Sequence, residues 1–412
     1  MPVETATRTM EISTDGGSFE AYVATPAKGR APAVVILQEI FGVNFHIRAV
    51  CDLFAQEGYI AVAPDLFWRI QPGIALSYTD EDVEKARACH KRFNASLAVT
   101  DIAAALKAVR AMPECDSKVG VVGFCLGGKL AFMAAARCEV DAAVCYYPAG
   151  VEKDLPDAPR ISCPIIIHVG EKDPWTPPEL RQRLAAALAN HRGAQVRLYP
   201  DAGHAFANFS RTTLHKPSYS LAYSRTLALL RRNLGPELDL DALWDRHVNS
   251  EFQDHDLDAT MNTMVAEPYV NHVPTLTGGE GQAQLRRFYK HHFLPKLPKD
   301  TRIIPLSRTV GADRVVDELI LCFTHDIEVD FLLPGVVPTG RYVEIPTVAI
   351  VQFRGGKILN EHIYWDQATA LAQIGAFDPK GLPVVGIEQS KKMLDEHLPA
   401  NQLIPQWKDG AD

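Results

Sequence analysis

Gly123-Phe124-Cys125-Leu126-Gly127-Gly128 sets a nucleophilic side chain among glycines at a point where the backbone pattern changes. Lys118-Val119-Gly120-Val121-Val122, just before it, is a short apolar run of the kind that forms a buried parallel strand, and residues 129–136 read as a helix. Strand, tight glycine turn and helix around a nucleophile is the arrangement of a nucleophile elbow. The glycines let the chain bend sharply and leave the central side chain exposed. The helix start behind it offers free backbone N–H groups and a positive dipole end, which favour a thiolate or an oxyanion. On its own, G-x-C-x-G also fits a small buried cysteine in a glycine-rich turn.

Two later segments bear on that choice. Pro164-Ile165-Ile166-Ile167-His168-Val169-Gly170 is a second buried-strand run, followed at once by Glu171-Lys172-Asp173-Pro174-Trp175. Val196-Arg197-Leu198-Tyr199 is a third, ending in Asp201-Ala202-Gly203-His204-Ala205-Phe206. Nucleophile, acid and histidine thus follow in that order, each just past a strand, as in α/β-hydrolases. Such strand ends converge on one edge of a parallel sheet. A thiol that titrates near ~8.5 is mostly protonated at neutral pH and needs a base or an electropositive site to attack an acyl carbon. His204 can be that base, and Asp173 can fix its tautomer and stabilise the imidazolium.

Residues 1 to about 235 resemble the dienelactone hydrolase (carboxymethylenebutenolidase) family, a cysteine branch of the α/β-hydrolase fold. The triad segments carry the resemblance, with Leu37-Gln38-Glu39-Ile40-Phe41-Gly42-Val43-Asn44, Ala63-Pro64-Asp65-Leu66 and Gly203-His204-Ala205-Phe206. It implies Cys125 as nucleophile, His204 as general base and acid, and Asp173 as the group orienting His204. It further implies Glu39 as the carboxylate that meets the resting thiol, the backbone N–H groups of Ile40 and Leu126 as oxyanion hole, and no cofactor or metal. Read from the residues alone, Glu39 is a structural, salt-bridged carboxylate.

The resemblance breaks at two places. Members that act on carboxylated lactones carry an arginine two residues after the phenylalanine of the histidine motif, where this chain has Asn208. A second arginine is expected after the Pro-Gly turn, where Asp80-Glu81-Asp82 stands; Arg69, Arg87 and Arg211 are near in sequence but outside both slots. A guanidinium is the natural grip for a carboxylate. The expectation is therefore an ester or lactone hydrolase of unspecified substrate.

The elements that must hold these residues alternate. Strand candidates at 33–37 and 60–63, an amphipathic helix at 98–112 and a last helix at 219–234, stopped by Gly235-Pro236, predict a mainly parallel sheet covered on both faces. The boundary falls at 235. Beyond it the pattern changes to helices at 239–252 and 256–264, short segments near 269–272, and a helix at 281–293. Strands follow at 301–310, 314–325, 341–353 and 357–365, with a hairpin at Arg354-Gly355-Gly356-Lys357. Helices and then antiparallel strands make an α+β domain. Residues 240 to about 377 resemble the SnoaL-like polyketide cyclases of the cone fold. The residues that carry this are Val337-Pro338-Thr339-Gly340-Arg341, Val351-Gln352-Phe353-Arg354-Gly355-Gly356-Lys357-Ile358, His362-Ile363-Tyr364-Trp365-Asp366 and Leu371-Ala372-Gln373-Ile374-Gly375. That resemblance implies Asp366 as acid/base in an apolar cone, with His272 and His362 facing the same pocket; a strand-end Asp also commonly caps the next helix. Asp254-His255-Asp256 reads as a polar helix junction rather than a metal site. The domains expected are 1–235, 236–377 and a tail, 378–412, with one short helix at 388–396.

Composition sets the remaining bounds. A chain of 412 residues with 47% hydrophobic and 22% charged residues is globular and long enough for two or three domains. A net charge of −8 gives no basic field for nucleic acid or anionic lipid. No run of 18 apolar residues occurs, and residues 1–5 lack the regions of a signal peptide. Eight cysteines without paired C-x-x-C spacing point to a reducing cytosol. Three functions stay open: a cofactor-free cysteine hydrolase of an ester or lactone with an accessory cone through which the chain forms a homodimer; a bifunctional enzyme whose cone cyclises or isomerises the product; and a non-catalytic binding or dimerisation protein.

Overall fold

The computed structural model describes residues 5–27 and 29–407. The first four of the residues read for a leader, the start of the first domain and the end of the tail lie outside the described residues. The chain divides in sequence between Leu238 and Asp239 into two compact units.

The first unit opens with an antiparallel hairpin, β1 (Thr5–Thr14) and β2 (Gly17–Pro26), which the sequence reading did not anticipate. Then follow β3 (Ala31–Leu37), α1 (Phe45–Gln56), β4 (Ile60–Pro64), α2 (Asp80–Arg92), α3 (Ala95–Arg110) and β5 (Cys115–Phe124). The unit ends with α4 (Leu126–Arg137), β6 (Ala142–Tyr146), β7 (Ile165–Gly170), α5 (Pro178–Ala187), β8 (Ala194–Tyr199) and α6 (Lys216–Leu234). The eight strands order as β1-β2-β4-β3-β5-β6-β7-β8, parallel throughout from β4 to β8. Every residue of β3, β4, β6 and β7 is buried, which is why these segments read as unbroken apolar runs instead of alternating ones. From β3 the chain steps one way to β4 and later the other way to β5. The strand order reverses there, where open α/β sheets place their sites.

The second unit holds α7 (Leu240–Phe252), α8 (Leu257–Asn262), β9 (Met264–His272), β10 (Thr277–Glu280) and α9 (Gly281–Phe288), which continues as one π turn, Tyr289–Phe293. After these come β11 (Arg302–Val310), β12 (Arg314–Thr324), β13 (Tyr342–Arg354), β14 (Lys357–Trp365), α10 (Gln367–Ile374) and, in the tail, α11 (Glu388–Leu394). The sheet order is β10-β9-β14-β13-β12-β11. It is antiparallel except at one place: the expected short segments near 269–272 are the end of a nine-residue strand that pairs parallel with β14. Strand β13 alternates buried and half-buried residues along its length, the period-2 signature of a sheet with one more deeply covered face. Asp256 of the polar junction caps α8, its carboxylate accepting from the backbone N–H groups of Asp258 and Ala259.

Candidate active site

Cys125 sits between β5 and α4 with φ +55° and ψ −113°, outside the regions a cysteine ordinarily occupies. Holding such a residue costs roughly 1–3 kcal/mol and needs surroundings that over-determine it. The glycines supply them. A Cβ on Gly123 would collide with the carbonyl of Gly127, and one on Gly127 with the carbonyl of Leu37, so strand, turn and helix close only on bare backbone. The Cys125 N–H donates to the Tyr146 carbonyl (3.0 Å), tying the elbow to the end of β6. All of α4 except Lys129 and Arg137 is buried, which anchors the helix behind the thiol.

Neighbouring strands bring the partners in. Leu37 pairs with Gly123 in the β3/β5 register, so two residues further on each strand the chain reaches Glu39 and Cys125. Asp173 lies in the turn after β7 and is almost fully buried. Its Oδ1 accepts from the Trp175 N–H (2.8 Å), which leaves Oδ2 to accept from His204 Nδ1 (2.9 Å). That bond turns the other ring nitrogen away from Asp173, and His204 also hydrogen-bonds Cys125. Burial pulls the His204 pKa down, but the bonds and charges of Asp173 and Cys125 outweigh it and raise the value to about 10. Cys125, Asp173 and His204 are thus brought together, with Glu39, Ile40 and Leu126 around the same cavity.

Glu39 is 2% exposed and sits in a hydrogen-bonded cluster rather than a salt bridge. Its Oε2 accepts from Asn208 Nδ2 (3.0 Å) and from the Tyr78 hydroxyl (3.2 Å), and Asn208 Nδ2 also donates to that hydroxyl (2.9 Å). Burial raises the Glu39 carboxyl pKa, against the opposing charges of Arg211 and His204 and these two bonds. Asn208, noted in the sequence only as a missing arginine, therefore holds the carboxylate directly.

The cavity measures about 770 Å³, within the usual range for small-molecule sites. Arg87, Lys91, Arg183 and Arg211 line it together with Glu39, Glu152 and Glu179; Arg87 pairs with Glu84 on the surface of its own helix (2.6 Å), and Arg69 is committed to a bidentate pair with Asp101 (2.8 and 3.0 Å). Arg211 lies over the Tyr78 ring, 4.8 Å from its centroid. The segment Asp80-Glu81-Asp82 is the first turn of α2, capped by Thr79, and Val83, Arg87, His90 and Lys91 of that helix face the cavity. Their i, i+4, i+7, i+8 spacing was the signal by which the sequence could have yielded them.

The second unit encloses its own cavity of about 70 Å³, and the residues lining it differ from those expected. Glu361, Ile363 and Trp365 of β14 face it, so His362 belongs to the opposite parity of the strand, and Asp366 lies one residue past its end. Asp366 is exposed and caps α10: Oδ1 accepts from the N–H groups of Ala368 (3.0 Å) and Thr369 (3.4 Å), and Oδ2 from the Thr369 hydroxyl (2.6 Å). Of the expected residues His272 alone lines the cavity, joined by Glu251 and Tyr289, which the sequence reading did not single out.

Among the described residues no helix is long and apolar enough to cross a membrane, and no cluster of His, Cys, Asp and Glu could hold a metal ion. Comparison with known proteins agrees with the division of the chain. The dienelactone hydrolase family model matches residues 19–234, and a SnoaL-like domain model matches residues 244–361. The carboxymethylenebutenolidase of Pseudomonas putida is 41% identical over 219 residues, covering 53% of this chain and 93% of that protein. A probable 2-oxo-3-(5-oxofuran-2-ylidene)propanoate lactonase of Bradyrhizobium sp. is 29% identical, over 55% of this chain and 94% of its own length. Among solved structures, a putative dienelactone hydrolase from Klebsiella pneumoniae is 28% identical with a TM-score of 0.51, covering 56% of this chain and 99% of its own. With an α/β-hydrolase unit and a SnoaL-like unit behind it in sequence, the chain belongs to the dienelactone hydrolase family of ester and lactone hydrolases.

Proposed function

We propose that the first unit cleaves an ester or lactone through an acyl-enzyme on Cys125. The observation that carries this is His204, fixed by Asp173 at 2.9 Å and hydrogen-bonded to a cysteine at a strained strand-to-helix turn. The Cys125 sulfur attacks the acyl carbon, and the carbonyl π pair moves to oxygen. The backbone N–H groups of Ile40 and Leu126 receive that oxyanion; Leu126, in the first turn of α4, has no intrahelical acceptor for its own N–H. Collapse of the intermediate breaks the C–O bond, and His204 gives the leaving oxygen its proton. Water then attacks the thioester with His204 as base, releasing the acid and the thiol. Asp173 holds the imidazole and its charge throughout. Glu39 helps take the thiol proton when substrate arrives.

The substrate class follows from the wall. Arg87, Lys91 and Arg211 supply the cationic grip that the two family slots lack, so the substrate in this reading is an ester or lactone bearing an acidic group. The lactonase relative is named for a substrate of that kind. In the same reading the hydrolase is residues 1–235, the cone at 236–377 is an accessory and homodimerising module, and the tail is 378–412. The protein works in the cytosol, without nucleic-acid or membrane partners. A panel of neutral and carboxylated esters and lactones, run on wild type and Cys125→Ala, tests it. Hydrolysis should vanish in the variant, and full activity there would refute the assignment.

A further inference from the structure

Cys125 follows β5, and the sheet order places β3 and then β4 to one side of that strand, β6 and then β7 to the other. The walls of the hydrolase cavity divide in the same way. The chain beyond β4 brings Arg87 and Lys91 of α2. The chain beyond β7 brings Pro174, Trp175 and Pro177, then Leu180 of α5.

The two walls differ in charge. On the β4 side the charged groups are cationic, Arg87 and Lys91, with Arg211 over the ring of Tyr78, the residue two before α2. On the β6–β7 side Glu152 and Glu179 stand against one guanidinium, Arg183, so an anion gains nothing there. Trp175 is the large apolar side chain of this second wall, 62% exposed, with its ring centroid 6.5 Å from that of His204. The triad uses only its backbone, whose N–H donates to Asp173 Oδ1 (2.8 Å). The indole leaves a flat apolar face open beside the catalytic imidazole.

His204 decides which half of a substrate meets that face. In acylation the bond from Cys125 Sγ to the acyl carbon forms, the bond from that carbon to the alcohol oxygen breaks, and the imidazolium gives its proton to the departing oxygen. The group carried by that oxygen therefore starts next to His204 and runs toward Trp175. We propose that the substrate is an open-chain ester of an uncharged, aryl-bearing alcohol, which packs on Trp175 while the acidic group of the acyl half faces α2. Trp175 is then the residue that selects the alcohol. The proposal rests on Cys125 and His204 acting as described above. A small lactone keeps alcohol and acyl carbon in one ring and has no separate group for this wall. The volume agrees: about 770 Å³ is some fivefold the ~150 Å³ that takes a benzene ring, room for both halves.

Monobenzyl, monoethyl and monocholine succinate share one acyl half and differ only in the alcohol, so with a carboxylated γ-lactone they test this on the full chain. The benzyl ester should exceed the other three in kcat/KM by about tenfold, the effect of burying a ring against an aromatic face. Trp175→Ala should remove that preference and leave the ethyl ester within about twofold of wild type, which also reports an intact fold; Trp175→Phe should keep it. All three esters give the same succinyl group on Cys125, so its hydrolysis rate should be identical for them and unchanged in Trp175→Ala. Equal rates for the benzyl and ethyl esters, or a preference for the choline ester or the lactone, would overturn the proposal. So would a benzyl preference that survives Trp175→Ala, or an altered rate of succinyl hydrolysis in that variant. Hydrolysis with no succinyl group on Cys125 would overturn the acyl-enzyme reading itself and this proposal with it.

Discussion

At the scale of single residues, the chemistry rests on which proton sits where. With its pKa raised to about 10, His204 stays an imidazolium over the neutral range, and it loses that proton as pH rises through about 10. The profile of kcat/KM should therefore show an alkaline limb near pH 10. Asp173→Asn removes one of the partners that raise the value. Its limb should move to lower pH, and its rate should fall by about 10⁴-fold, as when a triad histidine loses its proper tautomer. A limb that stays put would mean that Asp173 is not the partner that matters. Glu39 and Asn208 are probed separately. Asn208→Leu deletes one hydrogen bond to the Glu39 carboxylate and one to the Tyr78 hydroxyl beside it, and a bond to a charged group contributes about 1.5–3 kcal/mol. A loss of at least about tenfold in turnover is expected, with KM little changed, and Glu39→Gln should lose more. Normal kinetics in both variants would make the cluster structural.

At the scale of elements, the nucleophile elbow and the cationic wall can be tested apart. Gly127→Ala should misfold or destabilise the first unit by about 3 kcal/mol or more, because its Cβ would press on the backbone of β3 instead of on a movable side chain. A melting temperature equal to wild type would contradict the close-approach argument. Arg87→Ala and Lys91→Ala, on the α2 face, should raise KM for a carboxylated ester several-fold and leave a neutral ester unaffected; equal effects on both would rule out an anionic substrate. What the sequence made legible follows the same division. The buried strands, the elbow and the Asp173/His204 loops could be read because local apolar runs and glycine spacing are dictated by backbone contacts near in sequence. Helix α2 was passed over because its one buried residue, Ala86, gives almost no apolar stripe. The residues lining the cone cavity were missed for a different reason. A motif pointed to His362 and Asp366, while the parity of β14 turns Glu361, Ile363 and Trp365 inward. His247 and Glu251, one turn apart on α7, acquire meaning only once the sheet packs over them.

At the scale of the whole molecule, buried histidines set the response to acid. Burial lowers the pKa of His46 and His272 to about 4 and of His168 to about 3. Between pH 6.5 and these values the unfolded chain binds protons that the folded chain refuses, so stability falls as pH drops through that window. One such histidine contributes about 2 kcal/mol of loss from pH 6.5 to 4.5. The raised carboxyls of Glu39, Asp65 and Glu361 work the other way, so the comparison is a difference between proteins. His168→Gln, read by urea unfolding, should show a shallower acid slope than wild type; parallel slopes would contradict the linkage. For the account as a whole, the decisive measurement is intact-protein mass spectrometry after rapid acid quench with a slowly hydrolysed ester. Wild type should carry one acyl group, mapped by peptide digestion to Cys125, with none on Cys125→Ala. An adduct on another residue, or turnover by Cys125→Ala at the wild-type rate, would contradict a cysteine hydrolase.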